Sequence, residues 1–188
     1  MSRIIAGAAA GARLGSVPGT GTRPTTDRTK EALFSWLEAR GWCEGTDVLD
    51  LFAGSGALGL EALSRGAASV VLVERDRRAA QVCRANAALV ARAAGGRPAR
   101  VLVQAVERFL ASAEAESADL VLADPPYPLD GDELTAVLEA AAAALAPGGL
   151  LVLERSVRSA PPAAPGRLEP VESRTYGESA LYFWQDPR

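Results

Sequence analysis

Val48-Leu49-Asp50-Leu51-Phe52-Ala53-Gly54-Ser55-Gly56-Ala57-Leu58-Gly59 reads as strand, glycine turn and helix in a single pass. Val48–Phe52 is a short apolar run interrupted only by Asp50, which predicts a strand buried on both faces. Gly54, Gly56 and Gly59 satisfy G-x-G-x-x-G, a spacing that lets the backbone turn sharply and approach a ligand with no Cβ in the way. A helix is expected over Leu58–Ser64. Glu74 ends the next apolar run, Val70–Val73, and lies 20 residues past Gly54. A carboxylate there can accept hydrogen bonds from both hydroxyls of a ribose.

Outward from this stretch the chain alternates. Helices are expected over Arg77–Ala93, from Val106 to Ala113, and over Glu133–Leu145, where Ala146-Pro147-Gly148-Gly149 breaks the last of them. Strands are expected at Val101–Val103, Leu120–Ala123 and Leu150–Leu153. Such alternation means βαβ units and a parallel sheet. The end differs: Leu168–Thr175 and Ala180–Trp184 flank Tyr176-Gly177-Glu178-Ser179, too few residues for a crossover, so they form an antiparallel hairpin. The stretch 156–166, with Pro161, Pro162 and Pro165, is a surface loop. Before the first strand, Asp27 or Thr26 caps a helix with Ala32, Leu33, Trp36 and Leu37 on its apolar face, ended by Gly41. Residues 1–26 form a basic arm or small hairpin, and 27–188 the main domain. A mostly parallel α/β sheet closed by an antiparallel hairpin is the Rossmann-like arrangement of class I methyltransferases.

The glycine turn and Glu74 fit two cofactors, a dinucleotide and S-adenosylmethionine. Asp50 separates them. A carboxylate four residues before the first glycine repels a pyrophosphate and attracts the ammonium and sulfonium charges of S-adenosylmethionine. The second motif, Asp124-Pro125-Pro126-Tyr127, follows the fourth strand, which flanks the ligand crevice with the first. Two prolines remove two N–H donors and leave rigid carbonyl acceptors beside the Asp124 carboxylate. An exocyclic amino group has two protons to donate and a lone pair conjugated with its ring. Accepting one N–H hydrogen bond at Asp124 and the other at the Pro125 carbonyl localises that lone pair, while Tyr127, next to Pro126, can stack on the base. The expected activity is methylation of an exocyclic amino group of a nucleic-acid base. A nicotinamide dehydrogenase would explain the glycines but not the second motif. A non-catalytic nucleic-acid-binding module would explain the arm but not the cofactor site.

The chain of 188 residues is 48% hydrophobic and 23% charged, a globular composition, with no apolar run of membrane-spanning length and no secretory h-region at its start. A cytoplasmic protein is expected. Cys43 and Cys83 make neither a disulfide framework nor a metal site, and histidine is absent, so no metal is called for. Net charge is −3, unevenly spread: residues 1–30 hold Arg3, Arg13, Arg23, Arg28 and Lys30 against Asp27 alone, +4, which leaves −7 on the remainder. Those five cations are the expected phosphate contacts of a polyanion, with Pro126 and Tyr127 at the base itself.

The start of the chain carries a closer likeness. Arg3-Ile4-Ile5-Ala6-Gly7, Arg23-Pro24-Thr25-Thr26-Asp27-Arg28, Lys30-Glu31-Ala32-Leu33-Phe34 and the block from Leu49 to Ala67 resemble the RsmD family, over nearly the whole chain. The resemblance implies transfer of a methyl group from S-adenosylmethionine to N2 of a guanine in 16S ribosomal RNA, with the small ribosomal subunit or its assembly intermediate as partner and a monomeric enzyme. DNA adenine and protein glutamine amino-methyltransferases share the chemistry. The resemblance also implies that Asp50, Phe52, Ala53, Gly54, Ser55, Gly56 and Glu74 hold the cofactor. Arg75 then lies against adenine and Gln104-Ala105 at the adenine edge, although Arg75 stands where the family has an apolar residue and Gln104 where it has a carboxylate.

Overall fold

The computed structural model describes residues 2–17, 27–113, 116–126 and 128–188. Its elements are α1 (Asp27–Glu38), β1 (Asp47–Leu51), α2 (Ala57–Ser64), β2 (Ser69–Glu74), α3 (Arg77–Ala94) and β3 (Arg100–Val103). There follow α4 (Val106–Leu110), β4 (Ala118–Ala123), α5 (Gly131–Ala144), β5 (Leu145–Ser156), β6 (Glu169–Tyr176) and β7 (Ser179–Gln185). The seven strands form one sheet in the order β3-β2-β1-β4-β5-β7-β6. The first five are mutually parallel, and β7 runs antiparallel to both β5 and β6. This is the class I methyltransferase sheet with its C-terminal hairpin. The chain winds outward from β1 to β3, then restarts at β4 on the other side of β1. Strand order therefore reverses between β1 and β4, where a crevice opens beyond the strands' carboxyl ends.

Each face of the sheet carries its own core. Strand period sends Leu120 and Leu122 of β4 to one face, with Leu33, Phe34 and Leu37 of α1 and Leu60 of α2. Val121 and Ala123 go to the other face, with Leu138 and Ala141 of α5. Burial on both faces is why β4 reads as a continuous apolar run.

Two expected boundaries move. The segment Leu145–Gly149, expected as a helix end and a breaker, already belongs to β5. Its pairing starts at Ala118↔Leu145 and resumes at Leu120↔Leu150, so an irregularity absorbs the additional residues. Gly148, at φ +78°, takes a left-handed conformation there. The helix from Val106 ends at Leu110, short of Ala113.

The arm is a small hairpin laid on α2. Arg3 bridges Arg13 antiparallel, and the Ile4 N–H donates to the Ala12 carbonyl at 2.9 Å. Ile4 and Leu14 are buried. At Gly7, φ +82°, a Cβ would stand 1.9 Å from the Ser64 carbonyl, so only glycine lets the arm lie this close. Thr26, an expected helix cap, lies outside the described residues.

Candidate active site

The turn after β1 is closed by its own neighbours. Phe52 has φ +63°, strained for a residue with a bulky side chain, and Gly54 and Gly56 follow at +55° and +83°. The Gly54 N–H donates to Glu74 Oε2 at 2.8 Å, and the Asp76 N–H donates to Glu74 Oε1 at 2.7 Å. Each Glu74 oxygen keeps a second lone pair. A Cβ on Gly54 would meet nothing within 4 Å, so this turn presents bare backbone to open space. Gly56 is buried behind it, where a Cβ would come 2.9 Å from Cys83 Sγ. Gly59 lets α2 sit against β2: its Cβ would stand 2.4 Å from Leu72 Cδ2.

Asp50 is 2% exposed, and its Oδ2 accepts the Gly59 N–H at 2.8 Å. Burial pushes its carboxyl up to about 7, against the Gly59 hydrogen bond, with the Glu74 charge adding to the rise.

The fourth strand delivers Asp124, Pro125 and Pro126 to the same crevice. They line one cleft of about 860 Å³ together with Asp50, Phe52–Ser55, Glu74 and Arg75. The loop beyond the prolines is tied down at its far end. The Leu129 N–H donates to the Pro126 carbonyl at 2.9 Å, and Arg155 Nη1 donates to the Leu129 carbonyl at 2.8 Å. Arg155 Nη2 lies 3.2 Å from Asp130 Oδ1. Tyr127, expected as the stacking residue, lies outside the described residues, as does Arg23.

Several expected positions shift. Gln104 and Ala105 are not in the cleft wall; Val106 and Glu107 take that place. Gln104 donates its N–H to the Glu74 carbonyl, which continues the strand pairing two residues short of the wall. Lys30, expected to face RNA, is 0% exposed. Its ammonium lies 3.6 Å from Glu61 Oε2 and donates to the Arg3 carbonyl at 2.5 Å, so it holds the arm from inside. Burial pulls its value below the ordinary one, against the opposing pull of Glu61. Arg3 and Arg13 are exposed, and Arg28 lines the cleft.

The sequence reading missed three walls: Gly15–Val17 of the arm, Glu154–Ser156 at the end of β5, and Thr175–Ser179 at the hairpin tip. The last was derivable. The antiparallel pair Ser156↔Ser179 puts that tip at the carboxyl end of β5, beside the crevice. Among the described residues, no group of acidic, cysteine or histidine side chains could hold a metal. No described helix is long and apolar enough to cross a membrane.

Comparison with known proteins agrees with this fold. A family model described as "Conserved hypothetical protein 95" matches residues 2–185. The chain is 37% identical over 183 residues to the Ribosomal RNA small subunit methyltransferase D of Escherichia coli K12, covering 97% of this chain and 89% of that one. The solved structure of a hypothetical protein of Thermus thermophilus superposes with a TM-score of 0.80 at 37% identity, over 97% and 98% of the two chains. A more distant fold match, 17% identical with a TM-score of 0.67, is the magnesium protoporphyrin IX methyltransferase of Synechocystis PCC 6803, covering 85% of this chain and 78% of that one. Matched from residue 2 to residue 185, and 37% identical to the E. coli enzyme over 97% of its own length, this chain belongs to the RsmD family.

Proposed function

We propose that this chain methylates N2 of a guanine in 16S ribosomal RNA, with S-adenosylmethionine as donor and the small ribosomal subunit or its assembly intermediate as substrate. The observation that carries the reading is the single cleft holding both the Glu74–Gly54 turn and Asp124-Pro125-Pro126. S-adenosylmethionine supplies, when bound, a methyl group on a positively charged sulfur. The described residues suit it: open backbone at Gly54, remaining acceptor capacity on Glu74, and a buried acid, Asp50, toward the cationic end. Phe52, Ala53, Ser55 and Gly56 shape the turn. The exposed Arg75 offers a flat guanidinium to adenine, and Val106 and Glu107 form the wall beyond it. Asp124 and the Pro125 carbonyl accept hydrogen bonds from the two N–H groups of the base's amino group and turn its lone pair outward. Pro126 and Tyr127 hold the base from its face. The name of the E. coli relative supports ribosomal RNA as substrate. We further propose a monomeric cytoplasmic enzyme with no metal, whose arm cations Arg3 and Arg13, with Arg23 and Arg28, meet phosphate.

The test is transfer from labelled S-adenosylmethionine to small subunits lacking the modification, with DNA and protein as parallel acceptors, followed by nucleoside analysis. Label recovered as N2-methylguanosine from 16S RNA is the expected result. Label confined to DNA, protein or another nucleoside would refute the reading.

A further inference from the structure

Asn86 lies in the middle of α3, is 3% exposed, and is far from the cleft's chemistry in sequence. Its side chain nevertheless joins two parts of the cleft wall. Its Oδ1 accepts the Gly15 N–H at 2.8 Å, and its Nδ2 donates to the Gly15 carbonyl at 3.0 Å. The second Nδ2 proton goes to the Ser55 carbonyl at 2.9 Å, inside the glycine turn. Three of the four hydrogen bonds open to an amide are therefore used, all on backbone, and both Nδ2 donors are spent. A Cβ at position 15 would stand 3.4 Å from Oδ1, in ordinary van der Waals contact.

The base of the arm is anchored differently. Glu61 accepts the N–H groups of Ile5 and Ala6 at 2.8 and 3.0 Å, and Ser64 Oγ accepts the Ala9 N–H at 2.9 Å. Those anchors do not touch the cofactor turn. The Asn86 bridge does, and it connects to the stretch of arm, Gly15–Val17, that lines the cleft.

We propose that Asn86 is a positioning residue that couples the cofactor turn to the arm, so that a filled cofactor site holds the arm in place for RNA. The proposal rests on the cofactor reading above. A ligand that fixes the Ser55 carbonyl fixes the Asn86 amide, and the amide fixes both backbone groups of Gly15. Linkage is reciprocal: whatever factor the cofactor adds to arm order, an ordered arm returns to cofactor affinity. The enzyme then takes its cofactor first and meets RNA with Arg13 and Gly15–Val17 already set.

The experiment is amide hydrogen exchange over residues 2–17 of the intact chain, with and without S-adenosylhomocysteine, whose binding is followed separately by calorimetry. S-adenosylhomocysteine is expected to slow exchange at Gly15 about tenfold, within the usual range of coupling between sites. In Asn86→Leu the ligand still binds, more weakly, and the slowing at Gly15 is lost. Asn86→Asp, which keeps the acceptor and loses both donors, falls between and serves should the leucine variant not fold. A merely structural Asn86 would lower Tm in these variants and leave the ligand-induced slowing as in the parent; that result overturns the proposal. Ligand binding to the parent with no change at Gly15 overturns it as well, while leaving the cofactor reading intact. A parent that binds no S-adenosylhomocysteine at all removes the cofactor reading, and the coupling with it.

Discussion

The loops leaving β1 and β4 face each other across one cleft and are built by opposite means. The turn after β1 is held from within: Asp50 accepts the Gly59 N–H, Glu74 accepts the Gly54 N–H, and Asn86 donates to the Ser55 carbonyl. Three buried or half-buried side chains fix its backbone, and at Gly59 the lack of a Cβ lets Asp50 come close. The loop after β4 opens with Asp124 followed by two prolines that have no N–H to offer, and it is tied at its far end, where Arg155 grips Leu129 and Asp130. The first loop is a fixed cradle. The second is a rigid display of acceptors. A surface that grips a cofactor needs shape, whereas one that steers an amino lone pair needs acceptors placed for the transition state.

The largest effect should break this comparison from the β4 side. Asp124→Ala removes one of two acceptors, and kcat should fall about 10²–10³-fold, the usual cost of deleting one preorganised polar contact. Binding of S-adenosylhomocysteine should change little, because the cradle lies on the other loop. Equal losses in turnover and cofactor affinity would mean that the two loops do not divide the work.

From the other side, Gly59→Ala puts a Cβ 2.4 Å from Leu72 Cδ2 and 3.0 Å from Asp50 Oδ2. Crowding of this kind typically costs about 1–3 kcal/mol. The variant should melt earlier and bind S-adenosylhomocysteine more weakly, its KM for S-adenosylmethionine should rise, and its kcat should stay near that of the parent. A large fall in kcat at saturating S-adenosylmethionine would place α2 in the chemistry itself.

A smaller effect follows from Asp50. Its carboxyl, at about 7 when folded, exceeds the ordinary 3.8, so the folded chain holds a proton that the unfolded chain releases. Its contribution to stability is therefore fullest below about 4, declines as pH rises from about 4 to about 7, and is flat above. Cofactor affinity should run the other way. A cationic ligand favours the carboxylate, so affinity for S-adenosylmethionine should weaken about tenfold for each unit below pH 7 and level off above it. Calorimetry from pH 5.5 to 8 reads this directly. Asp50→Asn should flatten the profile, and a profile unchanged by that substitution would remove Asp50 from the ligand's surroundings.

Much of this was legible from the sequence because the signals are local. The glycine spacing, the acid closing β2 and the short Tyr176–Ser179 connection each depend on neighbours along the chain. Lys30 was misread because charge was weighed before position. It sits three, four and seven residues before Leu33, Phe34 and Leu37, on the buried stripe of α1, and that spacing was the available clue. Gln104 was misplaced because strand ends are read less well than strand centres: the chain bonds once more to Glu74 before it turns into the cleft wall. Asn86 could not be found this way. An asparagine in mid-helix carries no mark of its partners, which lie 71 and 31 residues away.

The smallest effect asks which loop the arm serves. If the arm is only a strut for the cradle, its charges are incidental. If it also meets RNA, Arg3 and Arg13 are the cations the described hairpin offers. Arg3 lies 3.6 Å from Asp27 with 64% of its side chain exposed, and such a surface pair is worth about 0–1 kcal/mol. Replacing it costs the fold little. Arg13 is exposed and makes no ion pair among the described residues. Arg3→Ala/Arg13→Ala should therefore melt like the parent and bind S-adenosylhomocysteine like the parent, since neither side chain lines the cleft. RNA affinity should drop, and its salt dependence should flatten by about 0.7–0.9 in log–log slope for each phosphate no longer neutralised. Filter binding of small-subunit RNA between 50 and 200 mM salt, on the order of the range over which such slopes are read, makes the measurement. An unchanged slope would leave the hairpin as a strut and send the phosphate-binding role elsewhere on the cleft rim.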